Sequence, residues 1–139
     1  MNSDGWALHP QLGRDTLELG DLALSRVLIA RDANFPWLLL VPRRPSIVEL
    51  IDLDESEQVQ LMVEIAQASR ALKSVTQCDQ LNVAALGNMV PQLHVHLIAR
   101  RRTDKAWPKP VWGAAEPLDH EPAELDRFMH AMKTALWAA

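Results

Sequence analysis

At 139 residues the chain fits one domain of the usual size, about 100 to 200 residues, and its 48% apolar content supplies a buried core, which excludes disorder as the main state. With 14 basic and 18 acidic residues the formal charge is −4, so the molecule as a whole has no means of holding nucleic acid by neutralising phosphates, and any anion site is local. Cys78 is the only cysteine, which excludes an internal disulfide and a multi-cysteine zinc site and fits a reducing compartment.

The opening Met1-Asn2-Ser3-Asp4-Gly5-Trp6 carries an acid where a signal peptide is basic, and the longest apolar run, Trp37 to Val41, is far below the roughly 18 residues of a membrane span. A soluble, cytoplasmic protein with no membrane or nucleic-acid partner is expected, forming one domain over residues 1–139. Residues 1–15 read as an irregular lead-in with a helical turn around Trp6 to Leu12. From Thr16 to Ala30 apolar residues alternate imperfectly around Gly20-Asp21, the pattern of a hairpin turning there. Asp32-Ala33-Asn34-Phe35-Pro36 is a turn cluster, and the continuously apolar Trp37–Val41, stopped by Pro42, predicts a central strand buried on both faces.

Asp54 followed by Glu57 signals a helix start, and the helix is expected to run to about Lys73. Leu61, Ile65, Ala68 and Leu72 share its inner face, with Glu57, Gln60, Glu64, Gln67 and Lys73 on the wet side. Leu81–Leu86 and Leu93–Ala99, separated by Gly87-Asn88-Met89-Val90-Pro91, predict neighbouring antiparallel strands. Arg100 to Gly113 reads as an irregular surface run, and Pro122 opens a C-terminal amphipathic helix ending near Ala138. Strands and helices are segregated, so the expected class is α+β, with about five antiparallel strands, a long helix packed on the sheet and a C-terminal helix.

In Pro91-Gln92-Leu93-His94-Val95-His96-Leu97-Ile98, alternation sends Gln92, His94 and His96 to one face. Neighbours on that face stand about 6 to 7 Å apart, close enough for one phosphate to touch two of them. Burying such groups without partners costs on the order of 1 to 3 kcal/mol each. A strand with one wet face would satisfy the same pattern. A metal pair is a further reading, but a catalytic zinc site usually has three protein ligands. The candidates for the third, His9, Glu116, Asp119, His120 and His130, stand at no informative spacing, so no metal site is expected.

The stretch Leu81–Ile98, with Leu38-Leu39-Leu40-Val41-Pro42-Arg43-Arg44 upstream and Trp107-Pro108 downstream, resembles the histidine triad (HIT) superfamily of nucleotide hydrolases and transferases over most of residues 15–113. His94-Val95-His96-Leu97-Ile98 matches the second half of its signature, and Gln92 stands where its first histidine falls. The resemblance implies that His94 is the nucleophile, attacking an α-phosphate to give a nucleotidyl-histidine intermediate. His96 would bind or orient the phosphate, and Gln92 would supply a neutral amide that cannot carry positive charge.

Asn88 and the backbone around Gly87 would stabilise charge on the phosphoryl oxygens, although Gly-Asn is also a common turn. Asp32 would anchor the ribose of a purine nucleotide or nucleotide conjugate, with Asn82 a further polar contact. A homodimer is implied, and no cofactor. Arg100, Arg101, Arg102, Lys105 and Lys109 form a basic run that is mostly a solvated segment, with Trp107 and Trp112 nearby. The alternatives are a nucleotide-binding module that has lost catalysis through Gln92, and a dimer seam with no ligand.

Overall fold

A computed structural model describes residues 4–138. Five strands, β1 (Thr16–Asp21), β2 (Ser25–Ala30), β3 (Trp37–Pro42), β4 (Gln80–Ala84) and β5 (Val95–Arg100), form one antiparallel sheet in the order β1-β2-β3-β5-β4. Helix α1 (Pro10–Asp15) precedes β1, α2 (Glu55–Thr76) joins β3 to β4, and α3 (Pro122–Trp137) follows the long irregular run after β5. This is the expected α+β architecture, with the apolar β3 in the middle.

The reason β3 shows no alternation is that both of its faces are covered. On one face Val27, Ile29, Leu38, Leu40, Val95 and Leu97 pack against Leu61, Ala68 and Leu72 of α2 and Met132 and Leu136 of α3. On the other, Leu28, Ala30, Leu39 and Val41 meet Leu12 of α1, Val90 and the partly buried Trp6, Leu8 and Trp37. At the Arg100 end of β5, Ile98 packs with Phe35, Ala106 and Val111. Each fully buried Leu in these layers contributes about 1.5 to 3 kcal/mol, so the sheet is held from both sides.

Helix α2 starts where the spacing predicts. The Asp54 carboxylate accepts from Glu57 N–H at 2.9 Å, and the Glu57 carboxylate accepts from Asp54 N–H at 3.1 Å. The helix passes Lys73 and ends after Thr76, where Gln77 takes a left-handed conformation with φ 53°.

Three local expectations are corrected. Gly20 and Asp21 lie inside β1, and the chain reverses over Leu22–Leu24, with Leu22 N–H donating to the Ser25 carbonyl at 2.8 Å. Glycine is needed at 20 for another reason: a Cβ there would stand 2.9 Å from the Trp137 ring. The helix in the lead-in begins at Pro10, not Trp6, because His9 caps it by accepting from Gln11 N–H at 3.0 Å and Pro10 has no N–H to leave unpaired. Glu64 is fully buried, not wet. Its carboxylate accepts from the N–H groups of Leu24 at 2.7 Å and Ser25 at 2.8 Å and from the Gln60 amide at 2.8 Å, so α2 caps the β1–β2 turn. Among the described residues no helix is long and apolar enough to cross a membrane.

Candidate active site

The site forms where β5 enters the sheet. His96 pairs with Leu39 of β3 on one side and Ala84 of β4 on the other, which places its ring on the face turned away from α2. His94 immediately precedes the strand, and the two imidazoles meet edge to face with centroids 5.0 Å apart. Trp37 and Trp112 close the corner: the Trp112 ring stands 5.0 Å from His96 and 5.9 Å from Trp37.

Hydrogen bonds fix the proton on each ring. The indole N–H of Trp37 donates to Nδ1 of His96 at 3.0 Å, so Nδ1 is an acceptor and Nε2 carries the hydrogen. Burial, with repulsion from neighbouring His94 added to it, lowers the His96 pKa to about 4. At neutral pH this ring is therefore a neutral donor. His94 has the opposite tautomer. Its Nδ1 lies 2.7 Å from the Gln92 carbonyl, which can only accept, so Nδ1 carries a hydrogen and the tautomer of the neutral ring is the one with its lone pair on Nε2. Although His94 is only 8% exposed, it lines a cleft of about 300 Å³ together with Val48, Glu49, Leu50, Ile51, Ala85, Leu86, Gly87 and Leu93.

Leu93 packs with Val95 and Leu97 on the α2 side, so alternation persists although ladder pairing begins only at Val95. Gln92 turns to the lead-in segment, whose Trp6 and Leu8 pack on the opposite face. Its side-chain oxygen accepts from His9 N–H at 2.8 Å, and its amide donates to the Ala7 carbonyl at 2.9 Å. Gly87 lines the cleft with φ 69°, a left-handed conformation that favours glycine, while Asn88 is exposed on the same loop.

Asp32 and Asn82 stand apart from His94. The pairing of Trp37 with Ile98 and of Leu40 with Val95 puts the Asp32 loop at the opposite end of the sheet. There Asp32 Oδ1 accepts from Asn34 N–H at 3.0 Å, the Asn34 amide at 2.8 Å and Leu118 N–H at 3.2 Å. Asn82 accepts from the Arg100 guanidinium at 2.8 Å.

Arg100 is buried between the rings of Phe35 and Trp107 and reaches Asp104 through Nε at 2.8 Å and Nη2 at 3.1 Å. Burial pushes the Asp104 carboxyl up, but Arg100 and the N–H groups of Arg101, Ala106 and Trp107 outweigh it and bring its pKa to about 2. The brace holds the start of the segment that carries Trp112 onto His96. The basic run is dispersed, with Arg101 on the Thr76 carbonyl and Lys105 on the Asn34 side chain.

Two parts of the site escape sequence reading. Trp37 is legible only as one apolar residue of a strand, yet a buried indole N–H requires an acceptor, and that requirement is the signal it offers. The wall Val48–Ile51 has no motif. Among the described residues no group of three or more His, Cys, Asp or Glu side chains is placed to hold a metal ion. His9 caps α1, and His120 Nε2 bonds the Ala30 carbonyl at 2.8 Å.

A five-stranded antiparallel sheet with paired histidines at the start of β5, between the central β3 and the edge strand β4, defines the class, and comparison with known proteins gives the family. The HIT domain model matches residues 15–103. The chain is similar to a histidine triad protein from Bradyrhizobium japonicum, with 61% identity, 95% of this chain and 98% of that one covered and a TM-score of 0.94. It is also similar to a histidine triad protein from Sinorhizobium meliloti, with 36% identity, coverage of 97% and 100% and a TM-score of 0.93. A third, from Marinobacter aquaeolei, has 39% identity, coverage of 94% and 96% and a TM-score of 0.91. No curated protein is significantly similar to the chain. The chain belongs to the HIT domain family, whose members are in general nucleotide-binding hydrolases and transferases.

Proposed function

We propose that the chain, acting as a single HIT-like domain, is a nucleotide hydrolase or nucleotidyl transferase that works through His94. The observation that carries this reading is the 2.7 Å contact of His94 Nδ1 with the Gln92 carbonyl, which holds a hydrogen on Nδ1 and makes Nε2 the nitrogen whose lone pair can attack, in a residue that lines the cleft. Nε2 attacks the α-phosphorus, forming an N–P bond as the bond to the leaving group breaks, and the departing atom takes a proton from a nearby donor. The ring becomes cationic while nucleotidylated, and the Gln92 carbonyl holds its Nδ1–H more tightly in that state. Water then cleaves the N–P bond, releasing a nucleoside monophosphate and the neutral imidazole.

In this reading His96 offers its neutral Nε2–H to a phosphoryl oxygen, and the Gly87-Asn88 loop adds further donors. Asp32 anchors the ribose of a purine nucleotide laid along β5 from His94 past His96. Asp32→Ala is then expected to raise KM and leave kcat unchanged. Asn82 acts only by supporting Arg100. Of the residues lining the cleft, Glu49 is the one full charge and no cation joins it, which favours an uncharged or amine leaving group over a polyphosphate. A nucleoside phosphoramidate is therefore expected to exceed a dinucleoside polyphosphate in kcat/KM by about tenfold or more, a difference of about 1.4 kcal/mol in barrier. Loss of turnover in His94→Ala is the first test.

One observation favours a second reading, a binding module without catalysis: the Gln92 side chain commits its oxygen and one of its two amide hydrogens to residues 9 and 7, and it offers a phosphate no positive charge. Calorimetric binding of adenosine or guanosine monophosphate by a preparation with no turnover would select it.

We also infer a cytoplasmic homodimer. Strand β4 is at the sheet edge, Val83 on it and Leu86 and Met89 after it are exposed, and Ile51, Val59, Met62 and Val63 add apolar surface. Sedimentation at micromolar concentration should give twice the chain mass.

A further inference from the structure

We infer that Gln92 is a positioning residue that locks the proton of His94 by clamping residues 7–9 to the loop before β5. The inference rests on the proposed role of His94. Gln92 engages at both ends. Its main-chain carbonyl takes the His94 Nδ1 hydrogen at 2.7 Å. Its side-chain amide pairs with two alternate backbone groups, accepting from His9 N–H at 2.8 Å and donating to the Ala7 carbonyl at 2.9 Å. An amide presents a donor and an acceptor side by side, so it pairs with a backbone as a neighbouring strand would. The segment it grips is itself anchored: Trp6 and Leu8 pack on Leu28, Leu39 and Val41, and Arg26 lies 5.1 Å over the Trp6 ring.

Residue 92 is thus fixed by a partner 83 residues away in sequence, and the carbonyl that aims His94 is fixed with it. An isolated imidazole favours no single orientation, and a neutral one exchanges between tautomers, so a carbonyl free to rotate would leave Nε2 protonated part of the time. The histidine that the family signature places at this position has a ring N–H and lone pair that point apart instead of side by side, so it cannot pair with both Ala7 and His9 as the amide does. Restoring the full triad therefore breaks the clamp.

The test is imidazole nitrogen NMR on folded protein, combined with steady-state kinetics on a nucleoside phosphoramidate. In wild type the His94 signals should be those of a single Nδ1–H tautomer. In Gln92→Ala they should move to a mixture, with kcat lowered about tenfold and KM within about twofold, since orientation and not binding is lost. Gln92→His should fall below wild type in kcat. His9→Pro offers a route that leaves residue 92 untouched: the φ of His9 is −56°, which proline adopts, and the substitution deletes the clamp N–H together with the imidazole cap. His9→Ala removes the cap alone, so a tautomer shift in His9→Pro that is absent from His9→Ala isolates the clamp. An unshifted Nδ1–H signal in both Gln92→Ala and His9→Pro, or a Gln92→His variant faster than wild type, overturns the inference. The tautomer is read without turnover, so an inactive wild type with the expected signals would remove the enzyme reading and leave the clamp standing.

Discussion

His96 is held by one indole N–H, and its consequence is measurable in stability as well as in chemistry. The folded ring has a pKa of about 4 against an ordinary 6.5. Between those values the unfolded chain binds a proton that the folded ring refuses, so the stability is full above about pH 6.5 and falls as the pH drops toward 4, by up to about 3 kcal/mol. Urea denaturation at pH 7 and pH 4.5 should show this fall in wild type and a smaller one in His96→Asn. Glu64 makes a second prediction at this scale. Glu64→Ala leaves the N–H groups of Leu24 and Ser25 buried without acceptors, which should cost about 2 to 4 kcal/mol, read as a lower denaturant midpoint. Its charge reads as wet, yet Glu64 stands three residues after Leu61 and four before Ala68, on the inner face of α2. What the spacing could not reveal was its partner, a turn 40 residues earlier in the chain.

At the scale of elements, β5 and the segment after it act as one unit. Arg100 and Asp104 pin the segment that continues to Trp112, and Trp112 packs on His96. Asp104→Asn removes the charge that holds Arg100 and is expected to destabilise the fold by about 3 kcal/mol, since a buried guanidinium is left without its partner. Tryptophan fluorescence, to which Trp37, Trp107 and Trp112 beside the brace contribute, should report the loosening at denaturant concentrations where wild type is still folded. Helix α2 gives a milder case: Asp54→Ala deletes its N-cap and should cost about 1 kcal/mol. The cap was legible because it is local, four residues read in order. The hairpin turn was not, because Gly20 serves Trp137 at the far end of the chain and only imitates a turn residue. Gly20→Ala places a Cβ 2.9 Å from that ring and should lower the melting temperature for this reason alone.

Across the whole molecule, the apolar rhythm fixes five strands and two long helices because each follows from a short-range pattern, and both faces of β3 had to be covered. The reach of the site was legible only where it follows the strand. His94 and His96 stand together as the alternation implies, while the partners of Gln92, His9 and Ala7, lie 83 and 85 residues away, beyond any local pattern. Asp32 and Asn82 make hydrogen bonds that span 86 and 18 residues, to Leu118 and Arg100, and no local pattern encodes such contacts. The cleft wall from Val48 to Ile51 is likewise a product of the fold, brought to His94 by the path of the chain after β3.

The most direct measurement is intact-protein and peptide mass spectrometry on enzyme quenched during turnover of a nucleoside phosphoramidate. The expected result is one nucleotidyl group, bound to His94 and absent from His94→Ala. Steady turnover by a protein whose His94 never carries the group would contradict the account.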